Sequence, residues 1–524
     1  MEIGKTIRKL RTENNLSREN FAALFGVSHQ AVQKWENGTA MPTVANIVAI
    51  AKRFCLSVDS LLLGEEGRSY DELKVVHQIT PDFCAHDSGE AYYKNTGLEY
   101  QQSIEEGLDI EAYKDIFLAV GTMPDSAAKE KMADILFDIV SNAPIKEGYP
   151  HNEPSDMEGI CALRDGYVLS GRLPEDVTDK IRGAWYGRIC GCLLGKPVEG
   201  MRTNALIPLL QMTGNYPMHR YILKSDLTEE VCARFDDGFP YRCWADNISC
   251  APVDDDTNYT VMGQMLINRY GRDFTSENVG EMWLSCQPKN AYFTAERVAF
   301  INLVNGFRTP NSGRYKNPYR EWIGAQIRGD YYGYINPGDP FAAADMAWRD
   351  ASVSHIKNGI YGEMFASAMI ASAALSDDIE AVIRGGLSTV PATSRLYKSV
   401  MKIIENKNSG VSAEDCMAEI HRMYDEHSGH GWCHTISNAM IVAAALLYGE
   451  GDYGKSVCLA VQTGFDTDCN GATVGSVIGM MKGASAVGPE WTEVLHGVQD
   501  TSLFGVGKVA IEDLIKETVR HIRG

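Results

Sequence analysis

Apolar residues along positions 3–63 recur at helical spacing and fall into five short stretches. In I-G-K-T-I-R-K-L-R they stand at 3, 7 and 10, the spacing of one helix face. The next two stretches are L-S-R-E-N-F-A-A-L-F-G and V-S-H-Q-A-V-Q-K-W-E-N-G. Ser17 and Ser28 are suited to N-cap these two helices, and Gly26 and Gly38 to end them. Two short helices joined by a tight turn form a helix-turn-helix, so the pattern predicts a small five-helix domain.

The rest of the chain is also patterned as helix, with few alternating, strand-like stretches. We therefore predict an all-α protein with a helix-turn-helix domain at 1–65, a helical middle segment at 66–175 and a large helical body at 176–524. A charged linker, E-E-G-R-S-Y-D-E-L-K, leads into the middle segment, and helical patterns follow around 105–120 and 126–141. The middle segment shows no chemistry, and it is interpreted as a spacer, a dimerisation element or part of the body's surface.

Glycines recur every four residues in I-R-G-A-W-Y-G-R-I-C-G-C-L-L-G-K-P-V-E-G, residues 181–200. They are Gly183, Gly187, Gly191 and Gly195. This spacing places them on one helix face, and each one costs helix stability. The stripe therefore predicts that another backbone packs very close to this face. The helix is expected to break at Lys196-Pro197, with Glu199 in the loop that follows.

Composition and charge narrow the function. The chain has 524 residues, a length typical of about three domains, and a net charge of -20. Residues 1–65 carry +2 and the remainder carries -22, which argues against nonspecific nucleic-acid or membrane binding by the whole protein. No signal peptide is visible, and thirteen scattered cysteines indicate reduced thiols, so a cytoplasmic location is expected. The most apolar stretch, 435–448, is too short to span a bilayer and is predicted to be a buried helix.

Two acidic stretches precede helices rich in small residues: P-V-D-D-D-T-N-Y-T (252–260) and T-G-F-D-T-D-C-N-G-A-T-V-G-S-V-I-G (463–479). Their carboxylates are Asp254, Asp255, Asp256, Asp466 and Asp468. Taken alone, three consecutive aspartates more often form a solvated loop, and the second pair is suited to helix capping. Taken together, at helix openings where the dipole favours negative charge, they predict a cation site. Such oxygen donors suit Mg²⁺, Mn²⁺ or Ca²⁺ rather than zinc.

Residues 3–63 resemble the lambda-repressor/Xre family of DNA-binding domains along their whole length. The resemblance implies that residues 28–36 enter the major groove of double-stranded DNA, and that two chains pair on a palindromic site. The side chains that then face DNA are Arg18, His29, Gln30, Gln33, Lys34 and Asn37. Val32 and Trp35 are expected in the core. The alternative is a helical adaptor that does not bind DNA, which the small charge of +2 favours.

Residues 178–520 resemble the ADP-ribosylglycohydrolase family, which includes the enzyme that reactivates ADP-ribosylated dinitrogenase reductase. The motifs G-A-x-x-G-x-x-x-G-x-x-L-G-x-P-V-E, D-D-D-T and G-x-D-T-D-x-N-x-A-T-x-G-x-x-x-G occur in the family's order. The resemblance implies a compact all-α bundle with a two-magnesium centre at the base of a cleft. Carried onto this chain, the metal ligands are the five aspartates above, and the family's glutamate after the first glycine helix is Glu199.

The sequence departs from this family at two positions. Asp254 stands where Ser or Thr is usual, and Cys469 stands where a Thr is usual. The soft sulfur of Cys469 is a poor ligand for Mg²⁺. We therefore expect either one ion held firmly and another weakly, or a water molecule in place of the hydroxyl, so that one or two Mg²⁺ ions, or Mn²⁺, are compatible.

Two further segments resemble the family's substrate-binding parts. I-R-G-D-Y-Y-G-Y-I-N-P-G-D-P (327–340) resembles the substrate-binding loop, in which backbone amides of the turn Pro337, Gly338 and Asp339 would hold a pyrophosphate and tyrosines would stack on adenine. Ser354 and His355 match the family's Ser/Thr-His pair. The alternative for His355 is that it pairs inside the core.

H-S-G-H-G-W-C-H (427–434) has zinc-like spacing at His427, His430, Cys433 and His434. No second pair of such residues lies near it in sequence. We therefore expect this segment to form a loop and the start of a helix beneath the cleft rather than a zinc site.

The resemblance implies hydrolysis of an N- or O-glycosidic bond at C1″ of ADP-ribose. Glu199 is then predicted to couple to ring opening or leaving-group protonation, and Asp255 or Asp256 to act on the attacking water. Two alternatives stay open. One is a transcription regulator whose C-terminal domain senses ADP-ribose or a related nucleotide without turnover. The other is a hydrolase for a small N-riboside.

Overall fold

The computed structural model describes residues 2–54, 56, 58–63, 90–235 and 242–523. The chain divides into two compact units, Met1–Asp82 and Phe83–Gly524. The predicted charged linker lies outside the described residues. The all-α prediction is confirmed, because the sheet found among the described residues has only two short antiparallel strands, β1 (Val498–Gln499) and β2 (Val509–Ala510). None of the described helices combines the length and the apolar character needed to cross a membrane.

The first unit contains the five predicted helices. They span Glu2–Glu13, Arg18–Leu24, His29–Glu36, Val44–Arg53 and Val58–Leu63. The predicted caps are present: the hydroxyl of Ser17 accepts a hydrogen bond from the amide of Asn20, and that of Ser28 from the amide of Ala31. These caps fix the turn between the second and third helices.

The second unit is a helical bundle. Its helices span Thr96–Glu105, Lys114–Thr122, Ala127–Asn142, Met157–Ala162, Thr178–Gly195, Thr203–Met212, Glu229–Arg234, Asp255–Tyr270, Ser276–Cys286, Thr294–Val304, Asn311–Arg314, Asp330–Ile335, Pro340–Ala351, Lys357–Ala373, Ile379–Leu387, Arg395–Asn408, Ala413–Met423, Gly429–Cys433, Thr435–Gly449, Tyr453–Gln462, Thr467–Lys482, Pro489–Thr492 and Ile511–Arg523. The helix predicted within 435–448 is buried, as expected. The helical pattern around 105–120 does not form a single helix. Gly107 takes a positive φ of +82° and lies between the helices Thr96–Glu105 and Lys114–Thr122.

Two glycine-rich helices pack with their backbones in contact. We call Thr178–Gly195 the first glycine helix and Thr467–Lys482 the second glycine helix. A Cβ built on Gly187 would lie 2.2 Å from the carbonyl oxygen of Gly475. Such proximity needs glycine on both sides, which confirms the prediction from the glycine stripe. At one end of the pair, Gly195 meets the opening of the second glycine helix, and this contact brings the two acidic parts of the chain together.

We expect Gly187→Ala to destabilise the protein by roughly 3 kcal/mol, because the added methyl forces the two helix backbones apart. Gly97→Ala is the matched control. Gly97 also lies in a helix, but a Cβ there would meet only a leucine methyl at 3.7 Å, so this change should be neutral or slightly stabilising. Urea denaturation of both variants measures the difference. Equal stabilities would show that the helices do not need this close approach.

The middle segment packs against the helical body in the second unit. The buried guanidinium of Arg320 contacts two carboxylates of this segment, those of Glu99 at 2.8 Å and Glu106 at 2.6 Å. Lys357 approaches Glu106 as well, at 3.0 Å. Buried charges are tolerated only when they are paired, so these contacts tie the segment to the body. Three interpretations of the middle segment were made from the sequence. These contacts agree with the third, in which the segment is part of the body's surface.

Candidate metal centre and DNA-binding helix

A cavity of about 460 Å³ opens at the end of the glycine-helix pair. This volume lies in the range of small-molecule sites, roughly 300–1,000 Å³. One wall is acidic and consists of Glu199, Asp254, Asp255, Asp466 and Asp468. The lining also includes the aromatic residues Tyr259, Phe293, Trp322 and Trp432, which we call the aromatic wall. The cavity therefore has both a charged wall and aromatic surfaces on which a flat ring can stack.

The ligand atoms of the acidic wall form three close groups, in each of which they lie within 4.8 Å of one another. The groups are Glu199–Asp466–Asp468, Asp256–Asp468–Cys469 and Cys192–Asp254–Asp256. The first is the one all-oxygen group that the described residues form. Asp256 and Asp468 each belong to two of the groups. Of these two, Asp468 lines the cavity, so we call it the central carboxylate. Asp255 lines the cavity and belongs to none of them.

Helix openings hold these aspartates in place. Asp254 is the N-cap of the helix Asp255–Tyr270, and its Oδ1 accepts a hydrogen bond of 2.9 Å from the amide of Asp256. Asp466 occupies the equivalent position before the second glycine helix. The hydroxyl of Thr467 donates to the carbonyl oxygen of Gly195 at 3.0 Å, which joins the second acidic segment to the first glycine helix.

Two basic side chains contact the acidic residues. The ammonium of Lys196 lies 2.7 Å from Oδ2 of Asp254. The fully buried guanidinium of Arg188 lies 3.1 Å from Oδ1 of Asp256 and 2.8 Å from Oδ2 of Asp330. Oδ2 of Asp256 is buried and has no hydrogen-bond partner. Because a buried carboxylate oxygen without a partner is costly, Oδ2 of Asp256 is a donor oxygen that a bound cation would satisfy.

Burial and like charges raise the pKa values of Glu199, Asp255 and Asp466. Burial and then Asp254 raise the pKa of Asp255 to about 8, while Asp468 contributes most to the raised pKa of Glu199. Burial, followed by Asp468, raises the pKa of Asp466. The cause is a concentration of carboxylates in a region of low dielectric. The oxygen donors and their mutual repulsion both fit a hard divalent cation such as Mg²⁺ or Mn²⁺.

Arg188 and Lys196 were not predicted, although each left a trace in the sequence. Arg188 follows Gly187 and places a charge in the middle of an otherwise apolar stretch, and such a charge needs a buried partner. Lys196 stands three residues before Glu199 in the same motif. The aromatic wall left no such trace, because its members come from separate helices and loops.

The segment 327–340 is not the predicted loop. It forms the helix Asp330–Ile335, and its tyrosines Tyr331, Tyr332 and Tyr334 are completely buried. Their hydroxyls have internal partners; that of Tyr332, for example, donates to Oδ2 of Asp350 at 2.5 Å. Satisfied hydroxyls allow tyrosine to act as a core residue, so the loop-like composition was misleading.

The amides of the turn after this helix donate to carbonyl oxygens within the protein. The turn Pro337, Gly338 and Asp339 was expected to offer backbone amides to a pyrophosphate. Proline has no amide hydrogen, so Pro337 cannot donate to a phosphate oxygen. The amide of Gly338 donates to the carbonyl oxygen of Ala371, and the carboxylate of Asp339 caps the next helix. The turn therefore has a structural role.

The Ser-His pair also lies outside the acidic cavity. Ser354 and His355 are buried, and Ser354 Oγ lies 2.7 Å from Nδ1 of His355. His355 lines a separate cavity of about 630 Å³. The contact with Ser354 agrees with the alternative that His355 pairs inside the core. A role of the two residues in binding substrate stays a prediction.

The histidines in the segment with zinc-like spacing, 427–434, take part in a hydrogen-bond network instead of a zinc site. Glu105, His430 and His434 do lie close together. However, Trp322 Nε1–H donates to Nδ1 of His430 at 3.0 Å, and the amide of Ile436 donates to Nδ1 of His434 at 3.1 Å. In a neutral imidazole the proton then lies on Nε2, the atom of His430 that lies 3.0 Å from Glu105. Both rings thus lack the free Nε2 lone pair that a metal at this group would need.

The third helix of the first unit presents a polar face. His29, Gln30, Gln33, Lys34 and Asn37 are exposed, whereas Val32 and Trp35 are buried in the core as expected. Arg18 differs from the other predicted contacts, because its Nε lies 2.8 Å from Oε2 of the buried Glu36. That carboxylate also pairs with Arg11. Arg18 therefore anchors the third helix to the second.

Comparison with known proteins matches two separate parts of the chain to two families. The ADP-ribosylglycohydrolase family matches residues 173–523, and the helix-turn-helix family matches residues 7–61. The HTH-type transcriptional activator BcrR of Enterococcus faecalis is 39% identical over 66 residues, which are 13% of this chain and 32% of that one. An uncharacterised HTH-type transcriptional regulator of Rickettsia conorii is 34% identical over 77 residues, 14% of this chain and 62% of that one. The chain thus covers 32% of the length of the first relative and 62% of the length of the second.

Among solved structures, an ADP-ribosylglycohydrolase-related protein complex is 18% identical, with a TM-score of 0.43, and the match covers 67% of this chain and 99% of that one. The family match extends over more than half of the chain and includes both acidic segments and both glycine helices. The chain therefore belongs to the ADP-ribosylglycohydrolase family and carries an N-terminal helix-turn-helix domain.

Proposed function

We propose that this chain is a divalent-cation-dependent hydrolase that cleaves the glycosidic bond of ADP-ribosylated substrates and also binds DNA. The observation that carries the proposal is the grouping of Glu199, Asp466 and Asp468 within 4.8 Å at one end of a ligand-sized cavity. The unpartnered, buried Oδ2 of Asp256 supports it. A cation such as Mg²⁺, when bound there, would supply Lewis-acid polarisation of oxygen groups.

The chain's own residues suggest a division of roles. Glu199 is exposed at the cavity, so its carboxylate can contact a substrate as well as the cation and assist ring opening. Asp255 lines the cavity, whereas Asp256 is fully buried against Arg188. Asp255 is therefore the better candidate to take a proton from water. The carboxylates also stabilise positive charge that develops on the sugar ring.

The bond that is cleaved can be identified with defined substrates. ADP-ribose attached through an N-glycosidic bond to arginine, through an O-glycosidic bond to serine, and to a nucleic-acid end would each be incubated with the full chain and Mg²⁺. Free ADP-ribose would be quantified by chromatography. We expect release from one class. Release of a base from simple N-ribosides alone would instead identify a small-molecule hydrolase.

A second candidate is a regulator that binds ADP-ribose without hydrolysing it. The specific observation is that the sulfur of Cys469 lies among the ligand atoms of the centre, where a hydroxyl oxygen is usual in the family. In that case ADP-ribose would change DNA affinity while no ADP-ribosyl substrate is consumed. Measuring both quantities on the same preparation separates the two functions.

DNA binding is proposed to occur through the exposed face of the helix His29–Glu36, in which glutamine side chains can read adenine in the major groove. Binding sites would first be selected from a random DNA library. Gln33→Ala should then weaken binding to the selected site by about 1–3 kcal/mol at fixed salt. Thr12→Ala, an exposed change on the first helix, should not alter it. Equal affinities of the two variants would contradict this assignment. Pairing of two chains on that site remains a prediction.

A further inference from the structure

One basic side chain reaches into the acidic wall. The ammonium of Lys196 lies 2.7 Å from Oδ2 of Asp254, and the two side chains are 23% and 2% exposed. Lys196 directly follows the last residue of the first glycine helix, whose position is fixed by its backbone contact with Thr467 and Asp468. The fold therefore holds a permanent positive charge beside one end of the carboxylate cluster.

The three ligand groups differ in their suitability for a hard cation. Glu199, Asp466 and Asp468 offer three carboxylates. The other two groups each include a thiol, that of Cys469 in one and that of Cys192 in the other. Hard cations such as Mg²⁺ and Mn²⁺ prefer oxygen to sulfur. Within the described part of the chain, one of the three groups thus consists of carboxylates alone.

We propose that the centre holds a single divalent cation, at Glu199, Asp466 and Asp468, and that the Lys196 ammonium takes the place of a second cation beside Asp254. This inference rests on the proposed metal-dependent function and adds the number and position of the ions. The ammonium neutralises Asp254 and repels another cation that approaches it. Cys469 removes the oxygen ligand that a second ion would need next to Asp468.

The experiment is a titration of the metal-free full chain with Mn²⁺, in which electron paramagnetic resonance counts free ions and detects spin coupling between bound ones. The natural sequence should bind one uncoupled ion per chain. The double substitution Lys196→Met and Cys469→Thr removes the ammonium and adds a hydroxyl oxygen, so it should bind two coupled ions. Lys180→Met is the control, since this ammonium lies near the other end of the same helix and donates to the carbonyl oxygen of Met481; it should leave the count at one.

The outcomes are distinguishable. Two ions per chain in the natural sequence would overturn the inference, and so would a folded double variant that still binds one, because Lys196 and Cys469 would then not limit the number. Circular dichroism shows whether that variant is folded, and the count for the natural sequence decides on its own if it is not. No bound ion in the natural sequence would contradict the proposed metal-dependent function itself.

Discussion

Asp468→Asn is expected to lower ADP-ribose release by roughly 10³-fold or more, equivalent to about 4 kcal/mol of transition-state stabilisation. Asp468 is shared by two of the three ligand groups, so its loss weakens every arrangement of the centre that includes the second acidic segment. The rate should be measured at saturating substrate and Mg²⁺. Asp377→Asn, which makes the same chemical change at an exposed carboxylate, should leave the rate unchanged.

The same variant should be more stable than the natural sequence when no metal is present. Asp468 is 3% exposed and lies among other carboxylates, so removing its charge relieves repulsion worth roughly 1 kcal/mol or more. Saturating Mg²⁺ should then stabilise the natural sequence, by about 2.7 kcal/mol at a hundredfold excess over the dissociation constant, and have little effect on the variant. Thermal unfolding with and without Mg²⁺ tests both statements. A variant that loses stability as well as activity would indicate a purely structural aspartate.

Arg320→Met is expected to destabilise the second unit by about 3–5 kcal/mol. The substitution leaves the buried carboxylate of Glu99 without this cation, and Glu106 with Lys357 as its remaining basic contact. Because both glutamates belong to the middle segment, that segment should also detach locally. Urea denaturation measures the free energy of unfolding, and limited proteolysis should show new cleavage within residues 90–165.

Lys316→Met is the matched control for this prediction. Lys316 also joins the body to the middle segment, but its partner Asp134 is 57% exposed. Exposed ion pairs contribute about 1 kcal/mol or less, so this variant should stay near the natural stability. Equal losses in the two variants would show that burial does not control the attachment of the middle segment.

Local patterns in the sequence were sufficient for the fold and for the acidic wall. The glycine stripe was informative because a glycine every fourth residue has one physical explanation, a backbone in close contact, and the contact of Gly187 with Gly475 confirms it. The acidic segments could be paired because both open helices of similar composition. Helix caps at Ser17 and Ser28 depend only on adjacent residues, so they too were predictable.

Features that depend on distant residues were not predictable. Glycine, proline and asparagine in 327–340 suggested a loop, yet burial of three tyrosine rings with satisfied hydroxyls made the segment a core helix. Phe293, Trp322 and Trp432 meet in the cavity only through the tertiary fold. Arg18 has the residue type of a DNA contact, but the buried carboxylate of Glu36 engages it. In each case a long-range partner decides what the side chain does.

The most direct test is the release of ADP-ribose from an ADP-ribosylated substrate by the purified full chain. We expect release in Mg²⁺, loss of release when EDTA removes the metal, recovery when Mg²⁺ is restored, and no release by Asp468→Asn under any of these conditions. Release that survives both EDTA and the Asp468→Asn substitution would contradict the account, because hydrolysis would then not depend on the cation or on the central carboxylate of the cavity.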